Sequence, residues 1–209
     1  MSRIAVEDRR SLLLDAAFRV IARSGVEGAT TRAICSEAEM AQASFHYAFA
    51  SRDELLAELV HRGTTAEMSA VSAPLAADEL AEAFESGDIR LALRAGLAAY
   101  VDHLVAEPER ETAMITLAQY ARRTPGLEPL AAQLYQRYYD MAEMLLVAGA
   151  QACNVEWDTP PAELAPVAVA ATDGITLAYL AHGKREIADR IVTEAVESLV
   201  RHIRTHPRA

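Results

Sequence analysis

Cysteine is scarce: Cys35 and Cys153 are the only two in 209 residues. They lie far apart and neither has metal-ligand spacing around it. The sequence therefore holds no disulfide framework and no zinc site, and both thiols are expected as small buried hydrophobes. Glycine and proline are few, at nine and eight. Alternating β-branched runs and Asn-Gly hairpin signals are missing, so nothing points to a sheet. There is no Gly-x-Ser-x-Gly, no phosphate loop and no His-Glu-x-x-His. One Glu-x-x-His occurs, Glu58 to His61, but di-iron bundles need two on different helices. A helical enzyme is disfavoured and no cofactor is expected. No signal peptide is read at the start, where Arg9-Arg10 lead into an amphipathic segment holding Asp15. The most apolar stretch, Ala165 to Ala181, contains Asp173 and is short for a bilayer. A cytoplasmic protein without a membrane partner is expected.

Alanine and leucine dominate what is there, and 52% of residues are hydrophobic, enough for a real core. An all-α fold follows. The net charge of −10 is uneven. Met1 to Arg62 has eight Arg against nine Asp and Glu, a net of −1; the remainder has twelve basic against twenty-one acidic residues, a net of −9. A nearly neutral head and an acidic body argue against a general polyanion binder. Screening over roughly 8 Å at physiological salt still lets a local face meet DNA.

Glu7 to Arg23 reads as a first helix, with Leu14, Ala17, Phe18 and Ile21 as its apolar stripe and Ser24-Gly25 as its stop. Thr30 caps a second helix carrying Ile34 and Ala38. The chain breaks near Glu39-Met40 and restarts near Gln42. Phe45 and Phe49 are four apart, so their side is core. At about 100° per residue, Ala43 and Tyr47 then point outward, with Ser44 and His46 on the flanks. A short helix with small and hydrogen-bonding residues outside suits the major groove. An ordinary helical hairpin fits the same spacing. Ser51 and Glu54 form a capping box that launches a fourth helix towards Met68.

Downstream, Val71 to Leu75 reads as a break and Asp78 to Glu85 as a short acidic helix. Further helices are expected over Asp88–Ala106, Glu109–Arg123, a long one from Thr124-Pro125 to Gln151, Ala162–His182 closed by Gly183, and Lys184–Arg204. Thr124-Pro125 and Thr159-Pro160 read as a cap followed by Pro at the first helical position.

Arg10 to about Leu59 resembles the N-terminal domain of the TetR family of transcriptional regulators. In LLLDAAFRVIARSGVEGATTRAI, Ala16-Ala17, Gly25, Thr30-Thr31 and Ile34 stand where that family has its alanines, glycine, threonines and apolar residue. In ASFHYAFASRDELL, Phe49, Ser51, Glu54 and Leu55 match and Arg52 stands where Lys is usual. Glu39 replaces a turn glycine, Ala41 a capping Ser, Ala43 a frequent Gly and His46 a Tyr. The resemblance implies nine or ten helices. A helix-turn-helix head over residues 1–50 would be followed by a ligand-binding and dimerisation body over 51–209. It also implies a homodimeric repressor, released from a near-palindromic double-stranded operator by a small effector that tilts the fourth helix.

Within that frame the DNA-contacting residues are expected to be Thr31, Gln42, Ala43, Ser44, His46, Tyr47 and Arg52. Asp173, beside Thr172 and Thr176 in an apolar helix, needs a partner or a raised pKa. With Tyr100, His103, Met114, Leu117, Tyr120 and Tyr139 it forms the expected effector site, mostly apolar with polar ends. The last helix carries two ridges: Ile187, Ile191, Ala195 and Leu199, and beside them Ala188, Val192, Val196 and Val200. With the small residues Ala171 and Ala178 of the preceding helix, both ridges are expected to be buried in a two-fold interface. A helix-turn-helix that docks a protein partner, with its body a plain core, is the alternative.

Overall fold

A computed structural model describes residues 6–72, 82 and 84–204. The expected break at Val71–Leu75 and most of the acidic helix Asp78–Glu85 fall outside the described residues. The helices are α1 (Val6–Gly28), α2 (Thr31–Glu37), α3 (Ala43–Ala48), α4 (Arg52–Ser72) and α5 (Ile89–Ala106). They continue with α6 (Pro108–Arg123), α7 (Glu128–Ala152), α8 (Pro161–His182) and α9 (Arg185–Val200). Among the described residues there is no strand, only an isolated antiparallel bridge between Trp157 and Ile203. The fold is all-α, as the composition requires.

Two compact units divide the chain. Unit 1 is Met1–Thr65 with Glu107–Leu134, and unit 2 is Ala66–Ala106 with Tyr135–Ala209. In unit 1, α6 packs along α1, which also meets α2 and α3. Leu13, Ile21, Ile34, Phe45, Phe49 and Leu117 are fully buried there. In unit 2, α9 packs on α8 and α5. Val101, Leu104, Ile175, Ala188, Val192 and Val196 form its main core.

Helix ends follow the punctuation in part. Gly25 breaks α1 at φ 71°, and one more turn runs on to Gly28 before Thr30, whose hydroxyl caps α2 through the Ala33 amide at 3.1 Å. Gly183 closes α8 in the left-handed conformation, φ 64°. The other two cap-then-Pro signals behave differently. Thr124 is the end of α6, its hydroxyl donating back to the Tyr120 carbonyl at 2.8 Å. Gly126 then turns at φ 89° and α7 starts at Glu128, whose carboxylate accepts the Gly126 amide at 2.7 Å. Thr159 bonds Asp158 and His202 rather than capping α8, which opens on Pro161 without a side-chain cap. The last helix stops at Val200, not Arg204, because the chain then pairs with the α7–α8 loop. The Asp158 amide donates to the His202 carbonyl and the Arg204 amide to the Glu156 carbonyl, both at 2.8 Å. The Trp157 indole seals this closure by donating to the Leu146 carbonyl at 3.0 Å.

Cys35 and Cys153 are both buried, one in each unit, and burial pushes each thiol up from its ordinary value.

Candidate nucleic-acid interface and effector site

The turn between α2 and α3 sits on Glu39, whose φ of 54° is left-handed. That conformation crowds a Cβ and costs a non-glycine residue on the order of 1 kcal/mol. It also explains why a glycine is usual at this position. Glu39→Gly should therefore raise stability by about 1 kcal/mol, a Tm gain of roughly 2–4 °C for a chain of this size. A fall in Tm would mean that Glu39 makes contacts worth more than its backbone strain.

The N-cap of α3 falls on Gln42, one residue beyond Ala41, and makes no side-chain cap bond. Phe45 and Phe49 are buried with ring centroids 5.6 Å apart, and Ala48 lies between them. The opposite face carries Gln42, Ala43, His46 and Tyr47, all exposed, with Ser44 half-buried beside them and Thr31 half-buried on α2. Tyr47 is 73% exposed.

Arg52 is placed otherwise than expected. Its guanidinium donates to the Ala29 carbonyl at 2.9 Å and to the Val26 carbonyl, and it lies 5.9 Å from the Tyr120 ring centroid. It ties the start of α4 to the α1–α2 turn. Among the described residues, four more arginines before residue 63 are engaged inside unit 1. Arg10 meets Ala48, Glu54 and Glu58; Arg19 and Arg23 share Glu37; Arg62 meets Ser11 and Asp15. The Glu54 carboxylate is held below its usual range by the Ala50 amide and by Arg10. The capping box is thus complete at Ser51, but its return bond lands on Ala50. Two basic residues not singled out from the sequence flank the recognition face. Arg32 is exposed in the first turn of α2, and Arg9 lies 5.8 Å from the Tyr47 ring centroid. The closeness of Arg9 to Tyr47 depends on how α1 packs against α3, which no local pattern encodes.

The expected effector residues divide between the units. Met114, Leu117 and Tyr120 lie on α6 in unit 1. Leu117 is 1% exposed, and Met114 is so close to Gly63 that a Cβ there would sit 2.3 Å from its sulfur. Both are buried in the packing of unit 1. Tyr100, His103, Tyr139 and Asp173 lie in unit 2. The Tyr135 hydroxyl, outside the expected set, donates to Asp173 at 3.0 Å, and its ring is 6.1 Å from that of Tyr139. Burial raises the Asp173 carboxyl above its ordinary value, against the lowering effect of that hydrogen bond. Burial, then the charge of Asp173, pushes Tyr135 up to about 12. One turn along α8, Thr176 bonds the Tyr100 hydroxyl at 2.5 Å. His103 is half-buried on α5. An open surface groove along α7, lined by Asp140, Glu143, Met144, Val147, Ala148 and Gln151, shares no residue with this set.

The two ridges of α9 separate. Ala188, Val192 and Val196 are buried in the unit 2 core, whereas Ile187, Ile191 and Ala195 are only half-buried. Leu199 does not stay with its ridge: at 3% exposure it packs with Leu146 and Leu164 inside the chain. On α8, Ala171 and Ala178 are half-buried and Val167 and Leu177 exposed. By length and composition α8 could cross a membrane. Here it is apolar all round because one side meets α5 and α9 while the other carries Val167 and Leu177 outward.

Known proteins share this arrangement. Residues 13–59 match the model of "bacterial regulatory proteins, tetR family", and residues 88–203 that of the "tetracyclin repressor-like, C-terminal domain". The HTH-type nicotine-responsive transcriptional repressor HdnoR of Paenarthrobacter nicotinovorans is 31% identical over 86% of this chain and 87% of its own. Among solved structures, a TetR-family regulator from Rhodococcus sp. superposes with a TM-score of 0.74 at 20% identity, covering 92% of this chain and 98% of its own. The multidrug binding protein EbrR, complexed with imidazole, gives 0.62 at 25% identity, covering 96% and 93%. With a helix-turn-helix presenting Tyr47 outward and a family match across both parts of its length, the chain belongs to the TetR family and is a DNA-binding transcriptional regulator.

Proposed function

We propose that the protein is a dimeric repressor that leaves a near-palindromic operator when a small, mostly apolar effector enters unit 2. The observation that carries the DNA part is the outer face of α3, where two buried Phe hold Gln42, Ala43, His46 and Tyr47 in solvent. Gln42 suits a base edge, since its amide pairs with adenine, while Tyr47, Ser44, His46 and Thr31 reach phosphates. Two heads of a two-fold dimer then meet half-sites about one helical turn, roughly 34 Å, apart. The nicotine-responsive relative and the multidrug binding neighbour support a small organic effector. An effector acts only through its different affinity for the DNA-competent and DNA-free arrangements, and α4, which contributes residues to both units, is the expected connection.

Selection of an operator from random sequence, followed by anisotropy titration of variants, tests the reading. Tyr47→Ala should weaken all operators alike. Gln42→Ala should relax preference at one base pair by about 1–3 kcal/mol. Wild-type affinity in both variants would remove α3 from the groove.

A further inference from the structure

We propose that unit 2 carries a site for a small organic cation, formed by the Asp173 carboxylate and the faces of the Tyr135, Tyr138 and Tyr139 rings. The proposal rests on the effector reading above and names the chemistry that reading leaves open. Asp173 is half-buried in α8, among apolar neighbours in sequence. An ionised carboxylate has about four acceptor positions. The structure supplies one hydrogen bond, from the Tyr135 hydroxyl at 3.0 Å. Among the described residues no Arg, Lys or His pairs with Asp173. Tyr135 cannot neutralise it, because a phenol held at about 12 keeps its proton at neutral pH. Arg137 is two residues from Tyr135, some 200° round the helix, and is exposed.

The rings beside this carboxylate stand at steep angles to one another. Tyr135 and Tyr138 are 5.9 Å apart at 85°, and Tyr135 and Tyr139 6.1 Å apart at 58°. Such a cluster turns the negative π face of one ring towards the edge of the next. A carboxylate next to aromatic faces is the pattern that recognises ammonium groups. The charge of the guest decides between ligand classes. An anion would be repelled by Asp173. A neutral apolar guest would displace water from the carboxylate and give nothing back. A cation compensates the same carboxylate it desolvates, through a charge-assisted contact. The nearby Tyr100 and Thr176 hydroxyls bond each other, so Asp173 remains the charged handle.

The test uses the full chain, with 3-hydroxyphenyltrimethylammonium as the cation and 3-tert-butylphenol as its neutral isostere. Calorimetry on wild type should give a preference for the cation of about tenfold or more. Asp173→Asn keeps an oxygen for the Tyr135 hydroxyl; it should remain folded, lose that preference and bind the neutral phenol no worse. Equal affinity for the two probes in wild type, no binding of the cation, or an unchanged preference in Asp173→Asn overturns the site. Operator release is read separately by anisotropy. A cation that binds through Asp173 without moving operator affinity keeps the site and sinks the effector reading. Release by the neutral phenol alone keeps the effector reading and sinks the site.

Discussion

Leu177→Glu combined with Ile191→Glu should turn the protein into a monomer and abolish operator binding at concentrations where wild type saturates. Leu177 is 56% exposed and Val167 47% exposed on α8, a large apolar display for a single helix. Ile187, Ile191 and Ala195 on α9 are half-buried in one protomer, with apolar surface still uncovered. Ala170 and Gly174 between Val167 and Leu177, and Ala181 one turn beyond, are small and allow close approach. Burying a Leu or Ile side chain contributes about 1.5–3 kcal/mol, and two-fold symmetry repeats each contact. Substituting glutamate removes that contribution and adds unpaired charges to an interior. Four altered side chains per dimer amount to several kcal/mol, enough to shift dissociation by orders of magnitude. A lone head then keeps half the base contacts. Sedimentation velocity and operator anisotropy measure the two effects together. A dimer of wild-type strength would move the interface off α8 and α9.

Leu117→Ala should cost unit 1 about 2–5 kcal/mol, the range for a fully buried leucine whose cavity cannot collapse. At 1% exposure, on a helix that packs along α1, Leu117 supports the helix that in turn carries α2 and α3. At roughly 2–4 °C per kcal/mol, the fall should be plain in a thermal melt. Operator binding should fail at temperatures where wild type still binds. Had Leu117 lined an effector pocket, truncation would leave the melt in place and weaken the effector alone. That opposite result would return it to the ligand wall.

Leu117 marks what periodicity reveals and what it leaves open. Spacing put Leu117 on the inward side of α6, and it is inward. It could not say whether the surface facing it belongs to α1 or to the body, because a stripe records burial and not the partner. Arg52 is the same case: its bonds to Val26 and Ala29 span more than twenty residues. Leu199 failed for a geometric reason. Each i+4 step advances about 40° round a helix, so Ile187, Ile191, Ala195 and Leu199 rotate by about 120° from first to last. The ridge starts at the flank and ends in the core. Features set within one turn were easier to read: Phe45 and Phe49, Thr30 as a cap, Ser51 with Glu54, and Gly183. Thr124 was misread because a threonine before proline can finish one helix as well as begin another. Asp173 announced itself by charge in an apolar helix, but Tyr135 as its partner is 38 residues away and only the tertiary fold brings the two together.

The closure at the end of α9 has an optical consequence. Trp157 is the only tryptophan in the chain, half-buried, with its indole fixed on the Leu146 carbonyl and its backbone paired with Ile203. Selective excitation therefore addresses a single fluorophore, inside unit 2 and remote in sequence from the helix-turn-helix. Its emission follows the release of the C-terminal clasp and is blind to melting of the head, while far-ultraviolet dichroism sees both. Disagreement between the two signals during denaturation would give the separate stabilities of the two units without a label.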